Sequence, residues 1–347
     1  MKPAPRLPVE DLEHATSAAL PQWEQLRHGR IFVTGATGFF GTWLLESFAF
    51  ANQKYKLNAE LVGLTRDPES FRIKCPHLFQ TGSVRLHRGD VREFEFPAGN
   101  FSHVIHAGTT SGAPVPDREM LETIFLGTRR ALDFAEKKGV KRFLFVSSGA
   151  VYGRQPPDLL RIPEAYSGGP DLTDSASAYG EGKRVGEMLC AVAHRERGLE
   201  TTIARCFAFV GPHLPLQAHF AIGNFIHDAM RGGPIRIKDG RPLRSYLYAS
   251  DLARWLWSIL LVGRPCHPYN VGSDDYLPIS EIARLVALYL QISPGPDLEV
   301  DRTSGTISAP PRYVPDIRRA QDELGLAVAV SLEQAILKTA NWAKAWA

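Results

Sequence analysis

The sequence has little cysteine, no long apolar run and no surplus of charge. Its four cysteines, Cys75, Cys190, Cys206 and Cys266, stand far apart and form no CxxC pair. That spacing points to free thiols in a reducing compartment, and Cys190 and Cys206, set in apolar runs, read as packed side chains. No window approaches a membrane span, and the opening "MKPAPRLPVEDLEH" has no apolar stretch of the signal-peptide kind. A cytoplasmic protein with no membrane partner is expected. Lys and Arg number 40 against 37 Asp and Glu, a formal charge of +3 over 347 residues. A dedicated nucleic-acid binder carries a dense basic stripe, so that class is set aside. An anionic small molecule needs only a few arginines in a cleft. There is no internal repeat and no low-complexity tract.

What the chain does have is a rhythm. Short apolar runs at 30–35, 59–65, 83–90, 103–108, 142–148 and 201–211 alternate with helix-like stretches at 42–55, 119–138 and 178–197. Strands alternating with helices imply an α/β fold with a doubly wound parallel sheet covered on both faces. After 211 the composition turns rich in Gly and Pro around a helix at 219–231. A second alternation follows: helix 251–262, strand 268–273, helix 279–291 and a final helix 331–345. This predicts an N-terminal extension over 1–28, a dinucleotide-binding domain over 29–210 to which 242–273 return, and a smaller interleaved C-terminal α/β substrate lobe from 211–241 and 274–347.

The first strand runs into "RIFVTGATGFFG", with Gly35, Gly38 and Gly41 spaced three apart before a helix. In a Rossmann-like fold the first glycine permits a tight turn, the next lets backbone approach a pyrophosphate, and the last lets helix and strand pack closely. The phosphate then meets free N–H groups at the helix N-terminus. Alone the motif is weak, since a plain strand-to-helix turn can look the same. The second strand ends "GLTRDP". An acid there would accept the ribose hydroxyl of NAD, whereas Arg66 ahead of Asp67 suits the 2′-phosphate of NADP.

"SAYGEGKRVGE" places Tyr179 and Lys183 four apart on one helix face. A phenol with an ordinary pKa near ~10 is a poor base at neutral pH; a neighbouring ammonium is expected to lower it. In "FVSSGAVYG", Ser147 and Ser148 stand at the carboxyl end of a strand, where open parallel sheets hold their ligands. A serine there can hold a substrate oxygen while the tyrosine takes its proton. Glycine turn, strand-end serine and Y-x-x-x-K are strong together.

With these residues the chain resembles the extended short-chain dehydrogenase/reductase family, in its nucleotide-sugar epimerase and dehydratase branch. The likeness spans about residues 30 to 326, through "VTGATGFFG", "GDV", "VIHAG", "FVSSGAVYG", "YGEGK", "RCFAFVGP", "RSYLYASDLA", "YNVGS" and "RYVPDIRRAQDELG". The resemblance implies a catalytic set of Ser148, rather than Ser147, with Tyr179 and Lys183. It implies cofactor contacts from Gly35, Thr37, Gly38, Phe39, Gly41, Arg66, Asp90, Val91, Ala107 and Gly108, with Tyr179 and Lys183 again. Asn224, Arg244 and Arg312 resemble the ligands of a nucleotide diphosphate, for which guanidinium forks are matched. Without that context each arginine reads as a surface ion pair. The family also implies NAD or NADP as cofactor, a nucleotide-diphosphate sugar as partner, a homodimer, and a place in nucleotide-sugar metabolism and polysaccharide biosynthesis.

Departures narrow the reaction. Family members that eliminate water, and the related decarboxylases, carry acids just after the catalytic hydroxyl; here those positions are Gly149 and Ala150. The frequent asparagines of two other family motifs are Ile124 and Ala208. An NAD(P)-dependent epimerase acting at C4 through a 4-keto sugar is the leading expectation. An NADPH-dependent 4-ketoreductase comes next, ahead of a 4,6-dehydratase. A non-catalytic dinucleotide sensor on the same fold is a further alternative, disfavoured by the intact Ser148, Tyr179 and Lys183. His103 and His106, three apart on a strand, point to opposite faces and would not share a metal, and no metal is expected. His213, His219 and His227 lie in or near the loop over the substrate site, where structural roles are expected. "RWLWSILL" reads as core.

Overall fold

The computed structural model describes residues 2–17, 20–109, 115–218, 220–291, 299–300 and 310–347. In chain order the strands are β1 (Arg30–Thr34), β2 (Glu60–Thr65), β3 (Val84–Arg88), β4 (His103–His106), β5 (Arg142–Ser148), β6 (Glu200–Cys206), β7 (Phe209–Val210), β8 (Arg236–Ile237), β9 (Leu243–Ser245), β10 (Leu247–Tyr248), β11 (Pro268–Val271), β12 (Tyr276–Pro278), β13 (Glu299–Val300) and β14 (Arg312–Tyr313). The helices are α1 (Val9–Ala15), α2 (Leu20–Trp23), α3 (Phe39–Lys54), α4 (Pro68–Lys74), α5 (Asp117–Lys137), α6 (Ala178–Arg197), α7 (Ala221–Met230), α8 (Ala249–Val262), α9 (Ile279–Tyr289), α10 (Arg318–Leu324) and α11 (Leu332–Trp346). Among the described residues no helix is long and apolar enough to cross a membrane.

Seven strands form one parallel sheet in the order β11-β6-β5-β4-β1-β2-β3. Their centres are apolar because both faces are covered. On one face α5 and α6 pack around Phe32, Val104, Phe134 and Phe143; on the other α3 and α8 pack around Val33, Leu44, Leu144 and Leu256. The chain leaves β1 toward β3 in one direction, then resumes at β4 and proceeds the other way. A crevice therefore opens outside the carboxyl ends of β1 and β4, where such sheets bind ligands.

The lobe has its own core, where Ile222, Phe225, Ile282, Val286 and Ile336 meet from α7, α9 and α11. The expected strand 201–211 divides here. β6 stays in the sheet, while β7 turns out to pair with β10. Of the stretch expected to return to the sheet domain, 242–273, α8 and β11 do so; β9 pairs instead with β12 and β14.

The N-terminal extension packs onto the rest of the chain. Leu7, Leu12 and Ala15 belong to the lobe core. Buried Asp11 accepts hydrogen bonds from Tyr248 and Lys338, both at 2.7 Å. His14 Nε2 lies 2.7 Å from Asp251, whose other oxygen accepts the amides of Ala329 and Val330. Trp23 stacks near Trp257 of α8, with ring centres 5.2 Å apart. The opening segment thus joins α8 to the C-terminal helix, and the tryptophans of "RWLWSILL" are buried.

Candidate active site

The crevice widens into a cleft of about 1220 Å³ between sheet and lobe. Its volume exceeds the roughly 300–1,000 Å³ of an ordinary small-molecule pocket. At its floor Gly35 has φ +69°, and a Cβ there would stand 2.6 Å from the Ala107 carbonyl oxygen. A Cβ at Gly41 would stand 2.2 Å from the Gly35 carbonyl, so α3 starts pressed onto the turn. Around Gly38 there is room: a Cβ would meet only the Gly35 oxygen, at 3.5 Å. Gly38 is the N-cap of α3 and supplies no side-chain cap. The uncapped amides at the start of this 16-residue helix therefore open on the cleft beside Thr37 and Phe39. A diphosphate fits such a cradle, drawn by the amides and the helix dipole.

Beyond β2, Arg66 is exposed along the wall. Asp67 is committed elsewhere, since its carboxylate accepts the Ser70 amide at 3.1 Å and caps α4. Asp90 is held by the fork of Arg92 at 2.8 and 3.0 Å, and that hydrogen bonding keeps its carboxyl below the usual range. Val91 packs beside Gly108, whose amide donates to Thr34 Oγ1 at 2.9 Å. The same hydroxyl lies 2.8 Å from His106 Nδ1, while Nε2 meets Thr128 at 3.1 Å. Burial pulls His106 down to about 3, so it is a neutral structural group. His103 meets Ser102 at 2.9 Å.

At the carboxyl end of β5 the two serines part ways. Ser147 donates to Glu187 at 2.6 Å, and Glu187 is clamped by Arg205 at 2.7 Å. Ser148 accepts the Ala150 amide at 3.1 Å and hydrogen-bonds to the phenols of Tyr179 and Tyr313. Lys183 is buried one turn along α6 from Tyr179; its Nζ donates to the Val146 carbonyl at 2.8 Å and lies 5.9 Å from the centre of the Tyr179 ring. Burial lowers its ammonium to about 8. Burial also raises the Tyr179 phenol, with the Ser148 hydrogen bond opposing. The phenol is therefore raised, not lowered as expected, because desolvation is the largest influence on it.

Tyr313 went unmarked in the sequence. Its hydroxyl would stand 2.8 Å from a Cβ on Gly149, and the Phe207 ring is as close. Two aromatic rings thus fill the position just past Ser148. On the lobe side, Asn224 of α7 and Arg244 of β9 line the cleft. Arg244 Nη1 donates to the Leu243 carbonyl at 2.9 Å, and its guanidinium lies 5.7 Å from the Tyr313 ring. Arg236 and Lys238, also unmarked, add cations to this wall. Arg312 is not among the residues lining the cleft; its guanidinium donates to the Pro157 carbonyl at 3.2 Å. Adjacent strand residues face opposite ways, and here Tyr313 has the inner position. His213 is buried against Trp342, His227 lies 2.8 Å from Gln217, and His219 lies outside the described residues.

A model of the NAD dependent epimerase/dehydratase family matches residues 31–272. UDP-glucuronic acid decarboxylase 6 of Arabidopsis thaliana is 29% identical over 309 residues, spanning 88% of this chain and 86% of that protein. The UDP-glucose 4-epimerase of Thermotoga maritima, solved with UDP-glucose, superposes with a TM-score of 0.75 at 20% identity, covering 91% of this chain and 99% of that one. The dTDP-glucose 4,6-dehydratase of Streptomyces venezuelae, solved with NAD bound, gives 0.74 at 24% identity, covering 91% and 97%.

Proposed function

Because the chain belongs to the NAD dependent epimerase/dehydratase family, we propose that it is an NAD(P)-dependent epimerase that inverts C4 of a nucleotide-diphosphate sugar through a 4-keto intermediate. The observation that carries this reading is the pairing of Ser148 with Tyr179 at the end of β5, backed by buried Lys183, in one cleft with the glycine cradle. Tyr179 takes the proton of the C4 hydroxyl and later returns it; Ser148 holds the oxygen throughout. Bound NAD(P) supplies the hydride acceptor and donor. Lys183 is the cation that helps the buried phenol bear charge, since its ammonium persists up to a pH of about 8.

Gly35, Thr37, Gly38, Phe39 and Gly41 take the cofactor diphosphate, Arg66 and Asp90 its adenosine end, and Val91, Ala107 and Gly108 the stretch between. Asn224 and Arg244 take the substrate diphosphate. With Asp67 turned to cap α4, Arg66 favours the 2′-phosphate, so NADP is preferred over NAD. Among the described residues the acids lining the cleft are Asp67, Asp90, Glu119 and Asp239, and Gly149 puts none directly after Ser148. That disfavours dehydration and decarboxylation. A 4-ketoreductase is the second reading, favoured by Arg66. Exposed Leu121 on α5, with Val185 and Met188 on α6, supports a homodimer through that face.

The test is mass spectrometry of ligands retained through gentle purification, followed by incubation with nucleotide sugars. Retained NADP or NAD and conversion to the C4 epimer without added reductant are expected. Turnover that consumes added NADPH in proportion to product would replace the epimerase by the reductase.

A further inference from the structure

Behind the cleft, three buried side chains that the reaction does not use converge from separate segments. Glu46 of α3, Cys75 at the end of α4 and His213 in the turn after β7 each offer a ligand atom, and these atoms all lie within 4.8 Å of one another. Their residues are 4%, 0% and 5% exposed. His213 is the anomaly. Neither of its ring nitrogens has a hydrogen-bond partner, although burial has stripped them of water, a costly state for polar atoms. The ring is nonetheless held in place. Trp43 Nε1 donates to the preceding Pro212 carbonyl at 2.9 Å, and the Trp342 ring lies 4.4 Å away. Glu46 is oriented in turn by His77, whose Nε2 stands 2.7 Å from its carboxylate.

We propose that Glu46, Cys75 and His213 bind a zinc ion. A thiolate, an imidazole and a carboxylate form a donor set that suits zinc and disfavours magnesium or calcium, which take oxygen alone. The charges balance: a dication with one thiolate and one carboxylate is neutral, which is what a buried site requires. On binding, the Cys75 thiol gives its proton to solvent. His77 holds Glu46 as an outer partner. His213 lines the cleft, which gives the ion an entry path and leaves the fourth position to water. The ion joins the glycine-turn helix, the helix after Arg66 and the turn that leads into the lobe, and so braces three walls of the cleft.

The test uses the full chain, stripped with a chelator and titrated with Zn²⁺ or Co²⁺, with Mg²⁺ as a control. Wild type should retain one zinc per chain after desalting, and the cobalt form should show a thiolate-to-metal charge-transfer band. Cys75→Ala should abolish that band and Cys266→Ala should leave it. His213→Asn, chosen because asparagine accepts the φ of +69° at this position, should weaken binding by about tenfold or more, and His77→Asn by about 10–100-fold. Circular dichroism establishes that each variant is folded. Wild type that retains no zinc and shows no thiolate band overturns the proposal, whatever the variants do. So does a band that survives Cys75→Ala.

Discussion

The two ends of the cleft are built on different principles. Ser148, Tyr179 and Lys183 come from one strand end and one turn of one helix, braced by the seven-stranded sheet. Asn224, Arg244 and Tyr313 come from α7, β9 and β14 and line the same cleft, and Tyr313 stands beside Arg244 because β14 lies parallel to β9. The first constellation depends on spacing within continuous segments. The second depends on register between segments distant in the chain, where one step swaps an inner residue for an outer one. In the proposed reading, the locally built end does the chemistry and the assembled end selects the ligand.

The largest effect should come from the locally built end. Tyr179→Phe should lower turnover by about two to four orders of magnitude while cofactor still binds; kinetics within a few-fold of wild type would remove Tyr179 from its role. A second test there concerns the cost of burying Lys183. Its folded value, about 8, lies below the ordinary 10.5, so the unfolded chain binds more protons between those limits and wild type gains stability as pH rises through them. The difference is of the order of 3–4 kcal/mol, from roughly 1.4 kcal/mol per pKa unit. Lys183→Met lacks that gain, so its thermal advantage over wild type should be greatest at pH 7 and shrink toward pH 10.5. An advantage that does not change with pH would mean that Lys183 is not held at a lowered pKa.

At the assembled end, Arg244→Ala should weaken nucleoside diphosphate binding by about tenfold or more, the magnitude of a charge-assisted hydrogen bond, with cofactor affinity unmoved. Arg312→Ala should change it by no more than a few-fold, because its guanidinium is turned to the Pro157 carbonyl. Calorimetry that ranks the two the other way would reverse the facing of β14. Along the wall beyond β2, Arg66→Ala should weaken NADP more than NAD by about tenfold; equal losses would show that Arg66 does not read the 2′-phosphate.

The same contrast explains what could be read from the sequence. The parallel sheet, the three glycines and the Tyr179–Lys183 spacing are local patterns, whereas the choice of Ser148 over Ser147 rested on the family resemblance; in the structure Ser147 donates to Glu187. What stayed hidden depends on distant partners. "RYVPD" draws the eye to its arginine, while the pairing with β9 puts Tyr313 inward. The N-terminal residues looked peripheral because the groups that hold Asp11 and His14, namely Tyr248, Lys338 and Asp251, lie more than half the chain away. The sign of the Tyr179 shift follows from burial, which helical spacing does not report. Glu46, Cys75 and His213 share no motif spacing, and only the fold brings them together.

In the proposed epimerase, hydride leaves C4 and returns to C4 on one substrate molecule. The direct test is a set of hexoses carrying deuterium at C4, linked to UDP, dTDP, GDP, CDP or ADP, incubated with the protein as purified and followed by mass spectrometry and NMR. At least one should be converted to its C4 epimer with deuterium still at C4. A product that has lost water or carbon dioxide, deuterium transferred to released cofactor, or no conversion of any of them by protein loaded with NAD or NADP would contradict this reading.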